Sequence, residues 1–214
     1  MQLSILIPAI PERWDIGNRL YMKLLKMSEG KDIEILYFMD NKKRSAPQKY
    51  NDLLNMVRGK YFMFCHDDDD ILTLDEVYQE TFKDVDVITF KQLCDSPNPQ
   101  KTPYTVTFGL GNPIESFKGP VPGSYGDCRR PPWTVCAWNQ RFKTIPFDDV
   151  YGEDGPWVEK TTAIAKTESF IDIVVCRYNW DEYVTSDPKY RKNKKEPVVQ
   201  AITQTIFPFI RRGP

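Results

Sequence analysis

Histidine occurs once in the 214 residues, and cysteine five times with no C-x-x-C pair. One imidazole excludes the metal phosphohydrolase sites that need several, and scattered thiols with a single histidine argue against zinc. An odd cysteine count at 65, 94, 128, 136 and 176 points to reduced thiols in a cytoplasmic setting and not to a disulfide framework. No apolar run approaches the ~20 residues of a membrane span. The opening MQLSILIPAIPER is too short in its apolar part, and lacks a basic leader, so it reads as a strand and not a signal peptide. There is no G-x-x-x-x-G-K-[ST] and no G-x-S-x-G; Gly109-Leu110-Gly111 lacks the third glycine of a dinucleotide fingerprint and does not follow the first strand. Net charge is almost absent as well, with 29 Lys+Arg against 30 Asp+Glu.

What is present is enough apolar material for a core, at 41% hydrophobic and 13% aromatic residues. The charge is unevenly spread. From Arg177 onward eight basic and four acidic residues leave +4, and with a total of −1 the first 176 residues carry −5. An acidic body with a basic C-terminal segment suggests an anionic partner, against the plainer reading of a solvated surface.

The first 90 residues alternate between apolar runs and helical patterns. Leu3–Ile7, Ile33–Met39, Tyr61–Cys65 and Val85–Phe90 read as buried strands. Ile16, Leu20, Leu24 and Met27 recur at helical spacing with Gly30 as a stop. Tyr50, Leu53, Leu54 and Val57 mark a second helical face with Gly59 as its cap. Thr73 and Glu76 have capping-box spacing before a short helix. This repetition predicts an α/β fold, a mostly parallel sheet flanked by helices. From Leu93 to about Pro132 the chain is rich in Pro and Gly, with one strand at Tyr104–Phe108, which reads as a functional loop region. Helical character returns at Trp133–Phe142 and after Gly155; Phe170–Tyr178 reads as a late strand, and Val198–Phe207 as a short helix or strand. A single domain over 1–214 is expected, with a regular strand-and-helix half (1–92) and an irregular second half (93–214).

Four consecutive aspartates, Asp67 to Asp70, follow the third strand. Their repulsion must be relieved by solvent, basic neighbours or a cation. In an open parallel sheet the crevice beyond the carboxyl ends of the strands is where ligands bind, and Asp40 at the end of strand two shares it. Hard carboxylate oxygens suit Mg2+ or Mn2+. An EF-hand is excluded because Leu72 holds its glycine position. The plainer reading is a solvated turn with one Asp capping the next helix.

The order of these pieces resembles the family 2 glycosyltransferases, which have the GT-A (Rossmann-like) fold, in particular short soluble members of the phage type. Ser4-Ile5-Leu6-Ile7-Pro8 is similar to their opening strand, and Ile35 to Asp40 to the second, whose terminal Asp reads the nucleotide base. Lys49-Tyr50-Asn51, Gly59-Lys60-Tyr61-Phe62 and Asp67 to Leu72 are similar to the approach to the D-x-D metal motif. Phe147 with Tyr151-Gly152-Glu153-Asp154-Gly155-Pro156-Trp157 resembles the segment that supplies the catalytic base. The resemblance implies a nucleotide-sugar donor, of UDP type, held by Pro8, Ala9, Asp40, Lys49, Asp67 and Asp68. It implies Mn2+ or Mg2+ on Asp67 and Asp69, with Asp68 and Asp70 as alternatives in register. Asp154 is the implied base of an inverting transfer, with Glu153 beside it. Trp157, Trp133 and Tyr178 are the implied sugar or acceptor contacts. Ala9-Ile10-Pro11 departs from the usual residues after the strand, Tyr50 stands where Arg often precedes Asn, and Tyr178-Asn179-Trp180 lacks the C-terminal metal-binding His of many members. The alternatives are a nucleotidyltransferase, for which Ile10-Pro11-Glu12-Arg13 is a poor phosphate loop, and a non-catalytic nucleotide- or nucleic-acid-binding domain. The acceptor is a glycan or a hydroxylated base in DNA, the latter because Tyr178, Trp180, Tyr183 and Tyr190 interleave with basic residues. The location expected is the cytoplasm, of the host if the source is viral.

Overall fold

The computed structural model describes residues 1–95, 103–112 and 128–179. Strand β1 (Leu3–Ala9) is buried along nearly its whole length. It lies between β2 (Ile33–Met39) and β3 (Tyr61–Phe64), parallel to both, with Leu3 opposite Ile33 and Tyr61 and Ala9 opposite Met39. This common register delivers all three carboxyl ends to one edge. Strand β4 is the pair Asp70–Ile71, β5 is Val87–Asp95, β6 is Tyr104–Phe108, β7 is Cys128–Arg130, β8 is Ala137–Asn139 and β9 is Glu168–Asn179. The sheet of the described residues runs β2-β1-β3-β8-β5-β6-β7, with β9 parallel to β5 and its far end antiparallel to β4. The long registers are parallel; the short pairings of β8 with β3 and β5 and of β6 with β5 are antiparallel.

Helices α1 (Trp14–Met27), α2 (Ala46–Met56), α3 (Asp75–Glu80) and α4 (Asp154–Thr162) flank this sheet. Leu20 and Leu24 seat α1, and Tyr50, Leu53 and Leu54 seat α2. Ser45 caps α2 through a reciprocal pair with Gln48, the arrangement that satisfies two orphan donors of a helix start. Apolar burial at the centre is aromatic: Trp138 meets Trp157 and Phe142 edge-on, and Phe147 stacks on Trp157 with centroids 4.9 Å apart.

Four local expectations are corrected. Gly59 does not cap α2, whose cap is Val57; a Cβ at Gly59 would fall 2.6 Å from Ser4 Oγ and 2.7 Å from Ser4 N, so the residue is glycine to let the chain touch β1. Thr73 does bond Glu76, but side chain to side chain, and Leu74 is the cap residue of α3. Trp133–Phe142 is not helical. It is a turn, strand β8 and a 3-10 turn at Gln140–Thr144, because β8 inserts between β3 and β5 and tertiary pairing overrides the local pattern. Strand β5 begins at Val87 and continues to Asp95, past the expected end at Phe90. Val198–Phe207 lies outside the described residues.

Candidate active site

At the carboxyl edge, Asp40 is buried at the end of β2 and anchors the turn that follows. It accepts hydrogen bonds from the backbone N–H of Lys42 (3.1 Å) and Arg44 (3.0 Å), and pairs with Lys49 Nζ at 2.7 Å. Burial alone would raise its pKa, but Lys49 and the two N–H donors outweigh it and hold the carboxyl below its ordinary range. Lys49 Nζ also donates to the carbonyl of Ala9 (3.0 Å), so Asp40, Lys49 and the end of β1 form one buried unit. Pro8 is half-buried and Ala9 buried on that strand.

The four aspartates have four different surroundings. Asp67, fully buried, accepts from the backbone N–H of Ile10 (2.9 Å) and from Arg13 Nη1 (2.9 Å). The same Nη1 lies 2.9 Å from Asp68 Oδ2. Burial works against the Arg13 charge, but Asp68 and Asp67 overcome it and raise its pKa. Asp70 sits in β4 and pairs with Lys23 at 2.6 Å. Asp69 Oδ1 accepts from the Asn179 N–H (3.1 Å), while Oδ2 lies 3.7 Å from His66 Nδ1. Burial, then the neighbouring Asp68, pushes Asp69 up to about 7, against the pull of His66. Burial also raises Asp68, with Arg13 opposing.

On the far side of His66 stands the Glu153-Asp154 pair that opens α4. Burial lifts the Asp154 carboxyl to about 6, with Glu153 adding repulsion; a hydrogen bond from the Trp133 side chain and the charge of His66 pull the other way. Asp154 Oδ1 is buried and makes no hydrogen bond among the described residues. His66 Nε2 lies 3.0 Å from Tyr50 Oη. Burial opposes protonation of this imidazole, yet Asp69 and then Asp154 outweigh it and raise its pKa. The one histidine therefore stands electrostatically between the third aspartate and the candidate base.

The structure brings Asp40, Lys49, Ala9, Asp67, Asp68 and Asp69 to one edge, with Asp154 facing the acidic run through His66. Trp157 does not join them as a sugar platform: it is fully buried between Phe147 and Trp138, its Nε1 donating to the Ile145 carbonyl (3.0 Å). Trp133 is half-buried beside Asp154, and Tyr178 is at 36% exposure on β9, opposite Cys94. Burial raises the Tyr178 phenol. Residues 180–214, with Trp180, Tyr183, Tyr190 and most of the basic segment, lie outside the described residues.

Sequence reasoning missed Arg13, His66 and Asn179. Arg13 was legible as the first basic residue after β1, and His66 by standing directly before the acidic run. Asn179, at the position noted for lacking His, also donates from Nδ2 to the carbonyl of Asp68 (3.0 Å).

Among the described residues no three His, Cys, Asp or Glu side chains converge on a ready-made cation cage. Both Asp67 oxygens are engaged by Ile10 and Arg13. Asp69, raised chiefly by burial, and Asp68 beside it would supply the one or two carboxylates of a Mg2+ or Mn2+ whose shell is completed by phosphate and water.

No family model matches the sequence, and no curated protein matches it. Among solved structures, the chain is similar to Staphylococcus aureus TarS residues 1–349: TM-score 0.55 at 12% identity, covering 84% of this chain and 60% of that one. The same TarS segment in complex with UDP-GlcNAc gives a TM-score of 0.53 at 13% identity, covering 84% and 59%, and its complex with UDP is equally similar at 0.53. The chain thus spans about three-fifths of the length of the TarS segment. The likeness is one of fold: a central, mostly parallel sheet flanked by helices, of the Rossmann-like GT-A type.

Proposed function

We propose that the protein is a metal-dependent glycosyltransferase that moves one sugar from a nucleotide-sugar, of UDP type, to an acceptor hydroxyl with inversion. The observation that carries this reading is Asp154: a buried carboxyl with one oxygen that has no hydrogen-bond partner among the described residues, raised to about 6 by burial, and linked electrostatically through His66 to the acidic run at the carboxyl edge of the sheet. A base must be ionised at the working pH yet strong enough to take a proton, and a pKa near 6 meets both demands. The shared fold of the UDP-GlcNAc-bound TarS segment supports the donor class.

Asp69, with Asp68, would hold Mn2+ or Mg2+, which when bound supplies Lewis-acid neutralisation of the departing diphosphate. Asp67 is the residue the sequence pattern names first, but its role here is to tie the acidic run to the end of β1 through Ile10 and Arg13. Asp40 and Lys49 shape the nucleotide end, with the turn after Asp40 folded back onto its carboxylate through the N–H groups of Lys42 and Arg44. Asp154 Oδ1 receives the proton of the acceptor hydroxyl as the acceptor's own oxygen attacks the anomeric carbon, and the sugar–phosphate bond breaks with its electron pair leaving on the nucleoside diphosphate. Asp69 and Asp154 favour the protonated form of His66 over the opposing effect of burial, and in that form it offsets their repulsion. The acceptor hydroxyl belongs to a glycan or to a hydroxylated DNA base.

Calorimetric titration of UDP with and without Mn2+, on the wild type and Asp69→Asn, tests the donor half. Micromolar binding that needs the metal and is lost in the variant supports the reading; no binding under any metal overturns it. Binding to DNA that falls steeply with salt would select the nucleic-acid acceptor.

A further inference from the structure

Three consecutive residues of α2 reach three separate parts of the site. Lys49 holds Asp40 and the end of β1. Tyr50 meets His66 with its hydroxyl, and its ring packs edge-on against Phe147 with centroids 5.0 Å apart. Asn51 clamps the segment that leads to the base: its Nδ2 donates to the Phe147 carbonyl (3.0 Å) and its Oδ1 accepts the Phe147 N–H (2.8 Å). Those two bonds satisfy a backbone donor and acceptor that no strand or helix pairs, so one side chain does the work of a ladder partner.

The same segment is fastened again two residues on. Asp149 accepts from Ser45 Oγ (2.6 Å) and from Gln48 Nε2 (3.1 Å), the two residues that make the cap of α2. That cap directly follows the turn built on Asp40. Beyond it, Phe147 stacks on Trp157 and Lys160 pairs with Asp148 at 2.6 Å, tying the segment forward to α4. Between these fastenings Tyr151 is 80% exposed, and Glu153-Asp154 follow at once.

We propose that Asn51 is a positioning residue that transmits the state of the nucleotide end to the base: ordering of the Asp40 turn by the donor is passed through α2 and the Phe147–Asp149 strap to Asp154. The proposal rests on the donor reading given above, because it needs a ligand that orders the Asp40 turn. A network able to couple two sites requires a physical connection that both can bias, and here it is one helix with hydrogen bonds at either end.

Hydrogen exchange on the full chain tests this, with UDP and Mn2+ as the probe. In the wild type the ligand is expected to slow exchange of amides at both 40–49 and 147–154. In Asn51→Ala, UDP should still bind within about threefold of the wild-type Kd and still protect 40–49, while protection of 147–154 is lost; faster exchange confined to the Phe147 amide, with UDP-dependent protection of 148–154 kept, marks a merely structural clamp and overturns the coupling. Asp149→Ala, at the surface, serves where Asn51→Ala does not fold, and should weaken the same ligand-dependent protection. Full retention of UDP-dependent protection at 147–154 in both variants overturns the coupling. Absence of UDP binding to the wild type overturns the donor reading, and the coupling with it, a result distinct from binding without coupling.

Discussion

Arg13→Met probes how the acidic run is neutralised. Arg13 is 9% exposed and the Asp67 carboxylate 1%, and one guanidinium nitrogen reaches both Asp67 and Asp68 at 2.9 Å. Methionine preserves much of the volume and removes only the charge and its donors. Asp67 would keep the Ile10 N–H but lose its counter-charge in a site without water access, and Asp68 would lose its nearest cation. Breaking a buried pair from one side costs about 3–5 kcal/mol, more than the pair itself contributes, since the orphaned charge stays behind. With a urea m-value of about 2 kcal/mol/M, the midpoint of unfolding should fall by about 2 M. Asp67→Asn in the same background removes the orphaned charge, so the double variant should recover a good part of the loss, giving a coupling of about 1–3 kcal/mol in the cycle. Equilibrium urea unfolding followed by tryptophan fluorescence reads all four proteins. A loss under about 1 kcal/mol for Arg13→Met, or strict additivity, would refute the argument that Arg13 is the internal cation of this run.

Asp154→Asn should abolish UDP release from a UDP-sugar while leaving UDP binding intact; in the wild type that activity should fall as pH drops through about 6, as the base is protonated. The same carboxyl is raised from 3.8 in the unfolded chain, so folding gains from its protonation below that value and loses this gain as pH rises through about 6. Asp154→Asn should therefore stabilise the fold at pH 7 by about 1–3 kcal/mol, and far less at pH 4, measured by thermal unfolding at both. A Cβ at Gly17 would meet Tyr37 Oη at 2.5 Å, so Gly17→Ala should cost about 1–3 kcal/mol, and adding Tyr37→Phe should restore most of it because that hydroxyl has no hydrogen-bond partner among the described residues. Trp157→Ala should cost about 3–5 kcal/mol in urea unfolding as a core deletion.

The first half was legible because its strands are short apolar runs with clean punctuation, and β1, β2 and β3 need only local burial to be recognised. Their shared edge follows from parallel pairing, which puts Asp40 and the acidic run at the same carboxyl ends. The second half was less legible for a physical reason: β8 and β4 are strands only because distant partners accept them, whereas β9 was already visible as the apolar run Phe170–Tyr178. Trp157 illustrates the same limit at the site. Its place beside Glu153-Asp154 suggests a sugar contact, yet helical geometry turns a residue three positions after Asp154 into the core, where Phe147 covers it. Arg13 and His66 escaped because their meaning lies in contacts 54 residues apart and in charges arriving from another element.

Asp67 to Asp70 are chemically identical letters with non-interchangeable addresses: an arginine and a backbone amide, the shared arginine, a histidine with the Asn179 amide, and a lysine on α1. A run of this kind looks redundant to any comparison that counts residue types, but it has no spare copy. Deleting one codon would leave three aspartates and re-address every one of them, so the segment should be far less forgiving of a change in length than of a change in letter.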